Sequence, residues 1–401
     1  MNITGIITEY NPFHNGHLYH LTEAKKATSA DGIICIMSGN FVQRGGPAII
    51  DKWKRTEMAL ENGVDLVIEL PTFYAVSSAE FFARGAISIL NSLGIVDNIF
   101  FGSECGDVTK LYDIAKVLTN NNEDFNVILK SYLNEGLSFA KSRQEALIDY
   151  LQDDTLKDIV SSSNNILGIE YIKAIILEKS KIKPYTLKRE GNRYNDTNIN
   201  HIFSSATSIR KSLFTSLNNM DTIKSVMPLA SYNILDSLNN CNYSFSFEED
   251  MYNYLKYKIS TNSVNFENLY EITEGIDRKI TKEVLESTSY EDLVLRIKSK
   301  RYTYTKISRL LTQIFIGFDH HNLDKSKVHS FNYARILGFN NKGREMLSLM
   351  KKTSSIPLIT KVPKHPNNPL LELDILATKA YSIINNDLNP KSDYLKSPIL
   401  K

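Results

Sequence analysis

Short apolar runs rich in β-branched residues alternate with longer amphipathic stretches through the first half of the chain. Residues 3–8, 32–37, 65–70 and 98–101 form the short runs, and their near-continuous apolar character predicts buried strands. Residues 16–28, 52–62 and 79–93 read as helices, the second stopped at Gly63 and the third at Gly94. Residues 108–180 are largely helical in pattern, ending in an amphipathic stretch, 166–179, with Asn164 or Asn165 as a cap. A last strand follows at 182–187. This β-α alternation predicts an α/β fold with a Rossmann-like parallel sheet. From about residue 215 the rhythm changes: Asn and Ser become frequent, the strand pattern stops, and the remainder reads as helices. The expected division is 1–218, a parallel-sheet domain, and 219–401, a mainly α-helical domain. The Asn-, Pro- and Ser-rich tail, 385–401, is a candidate for disorder.

Length agrees with two domains, since 401 residues exceed one ordinary compact core. Hydrophobic content of 42% and charged content of 23% place the chain among soluble globular proteins. No segment approaches the ~20 apolar residues of a membrane span, so no membrane association is expected. The net charge of +2 excludes a global field for nucleic acid, and any such partner must meet a local basic patch. Cys35, Cys105 and Cys241 lack metal-ligand spacing, and their odd number fits a reducing compartment. With no basic leader ahead of the first strand, a cytoplasmic location is expected.

The chemistry concentrates where the first strand gives way to the first helix. There the sequence reads Phe13-His14-Asn15-Gly16-His17. Gly16 lets backbone approach a phosphate. The helix behind it presents free N–H groups and a positive dipole end. Two imidazoles, His14 and His17, can donate hydrogen bonds to charge growing on a leaving pyrophosphate. In open parallel sheets ligands sit beyond the carboxyl ends of the strands. His14, Asn40, Gly102 and Glu104 all follow strands, so they are expected to converge on one site.

A second phosphate cradle is suggested by Ser204-Ser205-Ala206-Thr207-Ser208-Ile209-Arg210, where hydroxyls open a helix and an arginine follows one turn in. Lys52, Lys54 and Arg55 read either as contacts to phosphate or RNA or as a solvated helix start. In the second half, residues 296–309 hold six basic side chains, no acid, and the tyrosines Tyr302 and Tyr304. Cations neutralise phosphates and tyrosines can stack on unpaired bases. Lys342, Arg344, Lys351, Lys352, Lys361 and Lys364 form a second basic cluster.

Six runs together carry a resemblance. They are GIITEYNPFHNGH from Gly5 to His17, SGNFVQRG from Ser38 to Gly45, DLVIELP from Asp65 to Pro71, FGSE from Phe101 to Glu104, SNNILG from Ser163 to Gly168 and KSKRYT from Lys298 to Thr303. The first half resembles the His-x-Gly-His nucleotidyltransferase superfamily. The whole chain, to about residue 365, is similar to the bacterial tRNA(Met) cytidine acetate ligases. One departure is Gly46, where relatives often carry an acid; it leaves the role of that loop open.

The resemblance implies an ATP-dependent ligase, with 1–218 as its nucleotidyltransferase-like, ATP-binding catalytic domain and 219–401 as its mainly helical tRNA-binding domain. ATP would activate acetate as acetyl-adenylate, and the acetyl group would pass to the wobble cytidine of elongator tRNA(Met), giving N4-acetylcytidine. His14 and His17 would be the catalytic pair. The nucleotide would be wrapped by Ile7, Thr8, Glu9, Tyr10, Asn11, Pro12, Phe13, His14, Asn15, Gly16, His17, Leu18, Tyr19 and His20. Gly102, Asn164 and Arg189 are further implied ATP contacts, and Thr207 and Arg210 match the superfamily's second phosphate motif. Mg²⁺ is implied with the triphosphate, although the sequence shows no dedicated carboxylate cage for a metal. Lys298, Lys300, Arg301, Tyr302, Tyr304 and Lys306 are the candidate tRNA contacts. No protein partner is implied. Two other readings stay open: a small-molecule adenylyltransferase of cofactor synthesis, which leaves the basic second half unexplained, and an RNA-binding protein whose nucleotide site has lost its activity.

Overall fold

The computed structural model describes residues 1–120, 122–137, 139–189, 204–215, 220–272, 275–321, 323 and 328–401. The boundary expected at 218/219 lies outside the described residues, as do Glu190 and Gly191. Among the described residues the strands are β1 (Ile3–Thr8), β2 (Gly32–Ser38), β3 (Leu66–Leu70), β4 (Asn98–Ser103), β5 (Lys183–Lys188), β6 (Ala334–Phe339), β7 (Leu358–Ile359) and β8 (Ile399–Leu400). They form one sheet in the order β5-β4-β1-β2-β3-β6-β7, with β8 also on β6.

The five strands of the first half are parallel, as their β-α alternation predicts. Every residue of β2 and β3 is buried, because helices cover both faces of a parallel sheet. Chain order runs outward from β1 in both directions, through β2 and β3 on one side and through β4 and β5 on the other. The resulting switch point lies between β1 and β4, so a crevice opens beyond their carboxyl ends. Helices Asn15–Thr28, Lys52–Glu61, Ala79–Ser92 and Ser163–Leu177 stand close to their expected limits. No helix among the described residues is long and apolar enough to cross a membrane.

The second half departs from expectation in two ways. It is mainly helical, but it also returns to the sheet: β6 lies antiparallel on β3, with Arg335 opposite Glu69. The reason is local. β6 is as long as β1, but Arg335 and Gly338 interrupt its apolar run, so it does not stand out from the helices beside it. The tail is the second departure. Rather than disordered, it forms a short helix, Ser392–Leu395, and β8, and it buries Asp393.

That burial completes a closed group of charges. Lys52 Nζ meets Glu69 at 2.7 Å and Asp393 at 2.9 Å, while Arg335 meets the same two carboxylates at 3.1 and 2.9 Å. Two cations and two anions thus compensate each other in the interior. Burial pushes the Asp393 carboxyl up, but Lys52 and Arg335 outweigh it and hold it at about 2. Lys52 is therefore neither a phosphate contact nor a solvated residue.

Arg55 is buried as well. Its guanidinium donates to the carbonyls of Ile50 (3.1 Å), Glu9 (2.8 Å), Ser38 (2.9 Å) and Gly39. Apart from Ile50, which precedes the helix, these carbonyls stand at the ends of β1 and β2, where they leave the sheet ladder and need donors. Only Lys54, partly exposed, fits the solvated helix start.

Candidate active site

The loop from β1 to the first helix is framed by buried side chains. Tyr10 takes a left-handed backbone conformation (φ +46°), rare for a non-glycine residue and typical of a constrained functional turn. The Tyr10 and Phe13 rings lie 4.6 Å apart and both touch His17, at 4.9 and 5.6 Å between centroids. Asn11 Oδ1 accepts from Ile49 N at 2.8 Å, and Glu9 Oε1 from Gln43 N at 2.9 Å, so the SGNFVQRG loop is fastened to this turn.

His14 is the N-cap of helix Asn15–Thr28, and its Nδ1 accepts from Gly16 N at 3.0 Å. His17 answers from the first turn: its Nδ1 accepts from His14 N at 3.3 Å. The rings stack, with centroids 3.8 Å apart and 26° between planes. A ring nitrogen that accepts cannot carry the proton of a neutral imidazole. Each ring therefore holds its proton on Nε2; that of His14 lies on the edge away from the capped backbone, while the His17 ring also meets the Pro12 carbonyl.

Both histidines are held neutral. Burial, followed by the charges of Arg189 and Arg210, lowers His14 to about 3. For His17 burial acts first, then His14, His20 and Arg189; the Pro12 carbonyl opposes them but the value stays well below the usual range. His20, against the ring of Phe100 at 5.1 Å, is lowered to about 4 by burial and then by Arg189.

The second cradle comes to the same place. Arg210, on helix Ala206–Thr215, donates to Asn11 O at 2.8 Å and to Thr207 Oγ1 at 3.3 Å. Across the crevice, the stem of Arg189 covers Gly102: a Cβ there would lie 3.2 Å from Arg189 Cγ. Asn164, in the first turn of helix Ser163–Leu177, donates through Nδ2 to Glu104 Oε1 at 2.7 Å. Two arginines and two neutral imidazole donors thus meet beyond β1 and β4, an arrangement fit to bind a polyphosphate. The first N–H groups of helix Asn15–Thr28, expected to be free, are already taken, Asn15 N by Val226 O at 3.0 Å, Gly16 N by His14 Nδ1 and His17 N by His14 O at 2.9 Å.

Comparison with known proteins agrees with this geometry. A model of the HIGH Nucleotidyl Transferase family matches residues 1–395. A tRNA(Met) cytidine acetate ligase of Clostridium novyi is 51% identical over 401 residues, covering 100% of this chain and 99% of the relative. One from Clostridium acetobutylicum is 51% identical over 408 residues, covering 100% of both. The chain belongs to the tRNA(Met) cytidine acetate ligase family. Among solved structures, Thermotoga maritima TmcAL bound with alpha-thio ATP superposes with a TM-score of 0.88 at 33% identity, over 100% of this chain and 99% of that one. The apo form of the same protein gives 0.90 at 34%, with the same coverage.

Not every residue singled out from the sequence reaches the site. Asn40 follows β2 but turns inward, accepting from Lys52 N at 2.8 Å and donating to Thr378 at 3.2 Å. In the ligase's basic segment Lys298, Lys300 and Arg301 are exposed, Lys306 is half-buried, and Tyr304 is 38% exposed. Tyr302 is buried, its ring faced by Arg301 (5.8 Å) and Lys306 (5.7 Å), so it braces cations rather than offering a stacking surface. Arg309 is also buried, paired with Glu271 at 3.2 Å.

Helix Tyr304–Ile316, which continues this segment, packs on the SGNFVQRG loop. Gly45 (φ +84°) has the Ser308 carbonyl carbon 2.3 Å from where a Cβ would stand, and Ser308 Oγ donates to Gly45 O at 3.0 Å. Gly46 has φ +133°, and a Cβ there would meet Glu248 Cγ at 2.8 Å. Glu248 therefore fills the space that an acidic side chain at position 46 would enter. Arg55 was the functional support that pattern reading missed, since a lysine–arginine helix start looks solvated until the strand carbonyls around it are seen.

Proposed function

We propose that the enzyme activates acetate with ATP and acetylates the wobble cytidine of elongator tRNA(Met). A carboxylate oxygen of acetate attacks the α-phosphorus, the bond to the β-phosphate oxygen breaks, and pyrophosphate leaves. The N4 amine of cytidine then attacks the acetyl carbonyl; AMP departs and the nitrogen loses a proton. The observation that carries the first step is the His14–His17 pair, two neutral rings whose Nε2–H donors are fixed by backbone contacts at their Nδ1 atoms. Such donors stabilise charge on a leaving group without first giving up a proton. Arg210 and Arg189 supply cationic contacts to the same triphosphate.

The second step needs the base outside its stack, which an anticodon loop allows. Lys298, Lys300, Arg301, Lys306 and Tyr304 are assigned to the tRNA surface. Among the described residues no cluster of three His, Cys, Asp or Glu side chains could hold a metal ion. We therefore assign Mg²⁺ to ATP itself, as its counter-ion with triphosphate oxygens for ligands. ATP and tRNA as substrates place the reaction in the cytoplasm. Acetate-dependent ATP–pyrophosphate exchange, measured without RNA or acetyl-coenzyme A, tests the first step. Exchange that requires acetate supports it, and exchange indifferent to acetate contradicts it.

A further inference from the structure

Glu104 joins two elements of the crevice. It lies just beyond β4 and reaches sixty residues along the chain, 104 to 164, to the start of helix Ser163–Leu177. The N-cap of that helix, Ser162, makes no side-chain cap bond. Glu104 supplies the cap instead: Oε1 accepts from Asn164 N (3.2 Å) and Asn164 Nδ2 (2.7 Å), and Oε2 accepts from Asn165 N (2.8 Å). Asn165 Oδ1 accepts in return from Cys105 N at 3.1 Å, which closes the joint from both sides.

Two consequences follow from the chemistry of this cap. A carboxylate already occupies the positive end of the helix, so a phosphate there would meet like charge and find its N–H groups taken. In the ATP reading above the polyphosphate belongs with His14, His17, Arg189 and Arg210, which leaves the uncharged nucleoside as the end of ATP suited to the capped helix start at Asn164. The second consequence is orientation. An ionised carboxylate only accepts hydrogen bonds, so the Asn164 amide must turn its NH₂ to Glu104. Its Oδ1 faces the other way, and among the described residues no donor reaches it.

We propose that Glu104 is a positioning residue that fixes Asn164 as a hydrogen-bond acceptor for a donor on the nucleoside of ATP. That donor is a ribose hydroxyl or the exocyclic amine of adenine. This rests on the ATP reading above and adds how the nucleoside is selected. Asn164 touches the nucleotide; Glu104 acts only through it.

Binding of ATP, 2′-deoxy-ATP, 3′-deoxy-ATP and purine riboside triphosphate to the full chain tests the proposal by calorimetry. The wild type should bind one of the three analogues roughly tenfold or more weakly than ATP, since the analogue leaves an acceptor without its partner. Asn164→Ala should bind ATP and that analogue alike. Glu104→Gln should also lose most of the discrimination, because a glutamine amide no longer forces the Asn164 NH₂ inward. Its unfolding temperature, measured alongside, identifies any loss of fold, and Asn164→Ala leaves the Glu104 bonds to backbone in place. Equal wild-type affinity for all four nucleotides would overturn the proposal, as would discrimination that survives Asn164→Ala. No ATP binding by the wild type would overturn the ATP reading and this inference with it.

Discussion

His14 and His17 bind each other twice over, ring stacked on ring at 3.8 Å and His14 N donating to His17 Nδ1 at 3.3 Å. One pair of side chains thus caps the first helix and fixes two Nε2–H donors. The two duties separate by substitution. His14→Asn keeps a cap acceptor but replaces the imidazole Nε2–H with an amide that does not reach as far, so unfolding temperature should hold while acetate-dependent exchange falls by a factor on the order of 100 or more. His17→Ala should lose exchange to a similar degree. Near-normal exchange in both variants would contradict the assigned roles.

Two histidines of this turn, His14 and His20, make stability depend on pH in a defined window. His14 sits at about 3 and His20 at about 4 in the folded protein, against roughly 6.5 for an unfolded histidine. Between those values the unfolded chain binds more protons, so stability rises with pH from about 3 to about 6.5 and these groups add no slope above that. Urea unfolding from pH 4.5 to 8 should show a shallower acid-side loss in His14→Gln than in the wild type. Parallel profiles would contradict the buried neutral state.

Asp393 should matter far more than its place in the tail suggests. Asp393→Ala would leave Lys52 and Arg335 facing Glu69 alone, an uncompensated buried cation. Removing one partner of a buried pair costs about 3–5 kcal/mol. Chemical denaturation should report a loss of that order, and a change below about 1 kcal/mol would show that the network does not hold the tail.

Lys300 and Arg301 are exposed where Arg309 is buried against Glu271. Alanine at 300 or 301 should weaken tRNA binding and reduce its salt slope by about 1 per residue, with ATP–pyrophosphate exchange unchanged. Arg309→Ala should instead lower stability. An unaltered salt slope in both exposed variants would remove this segment from the tRNA surface.

The first half of the fold was legible because buried parallel strands announce themselves as apolar runs, and Gly63, Pro71 and Gly94 mark where elements end. The His14–His17 turn was legible for a related reason: the functional residues adjoin in sequence and follow a strand. What was hidden depends on partners distant along the chain. β6 finds β3 across more than 250 residues, and Lys52 becomes a core residue only because Glu69, Arg335 and Asp393 converge on it. Tyr302 and Asn40 were misplaced because residue type shows neither which way a side chain turns nor what has already claimed its polar atoms.

Incubation of the purified enzyme with ATP, Mg²⁺, labelled acetate and total bacterial tRNA tests the account most directly, with nucleosides of the digested RNA resolved by mass spectrometry. Label is predicted in N4-acetylcytidine from elongator tRNA(Met), without acetyl-coenzyme A and absent from the His17→Ala reaction. Acetyl-adenylate formed with no labelled nucleoside would contradict tRNA as the acceptor, and label in acetylcytidine that persists in His17→Ala would contradict the His14–His17 pair as its catalytic centre.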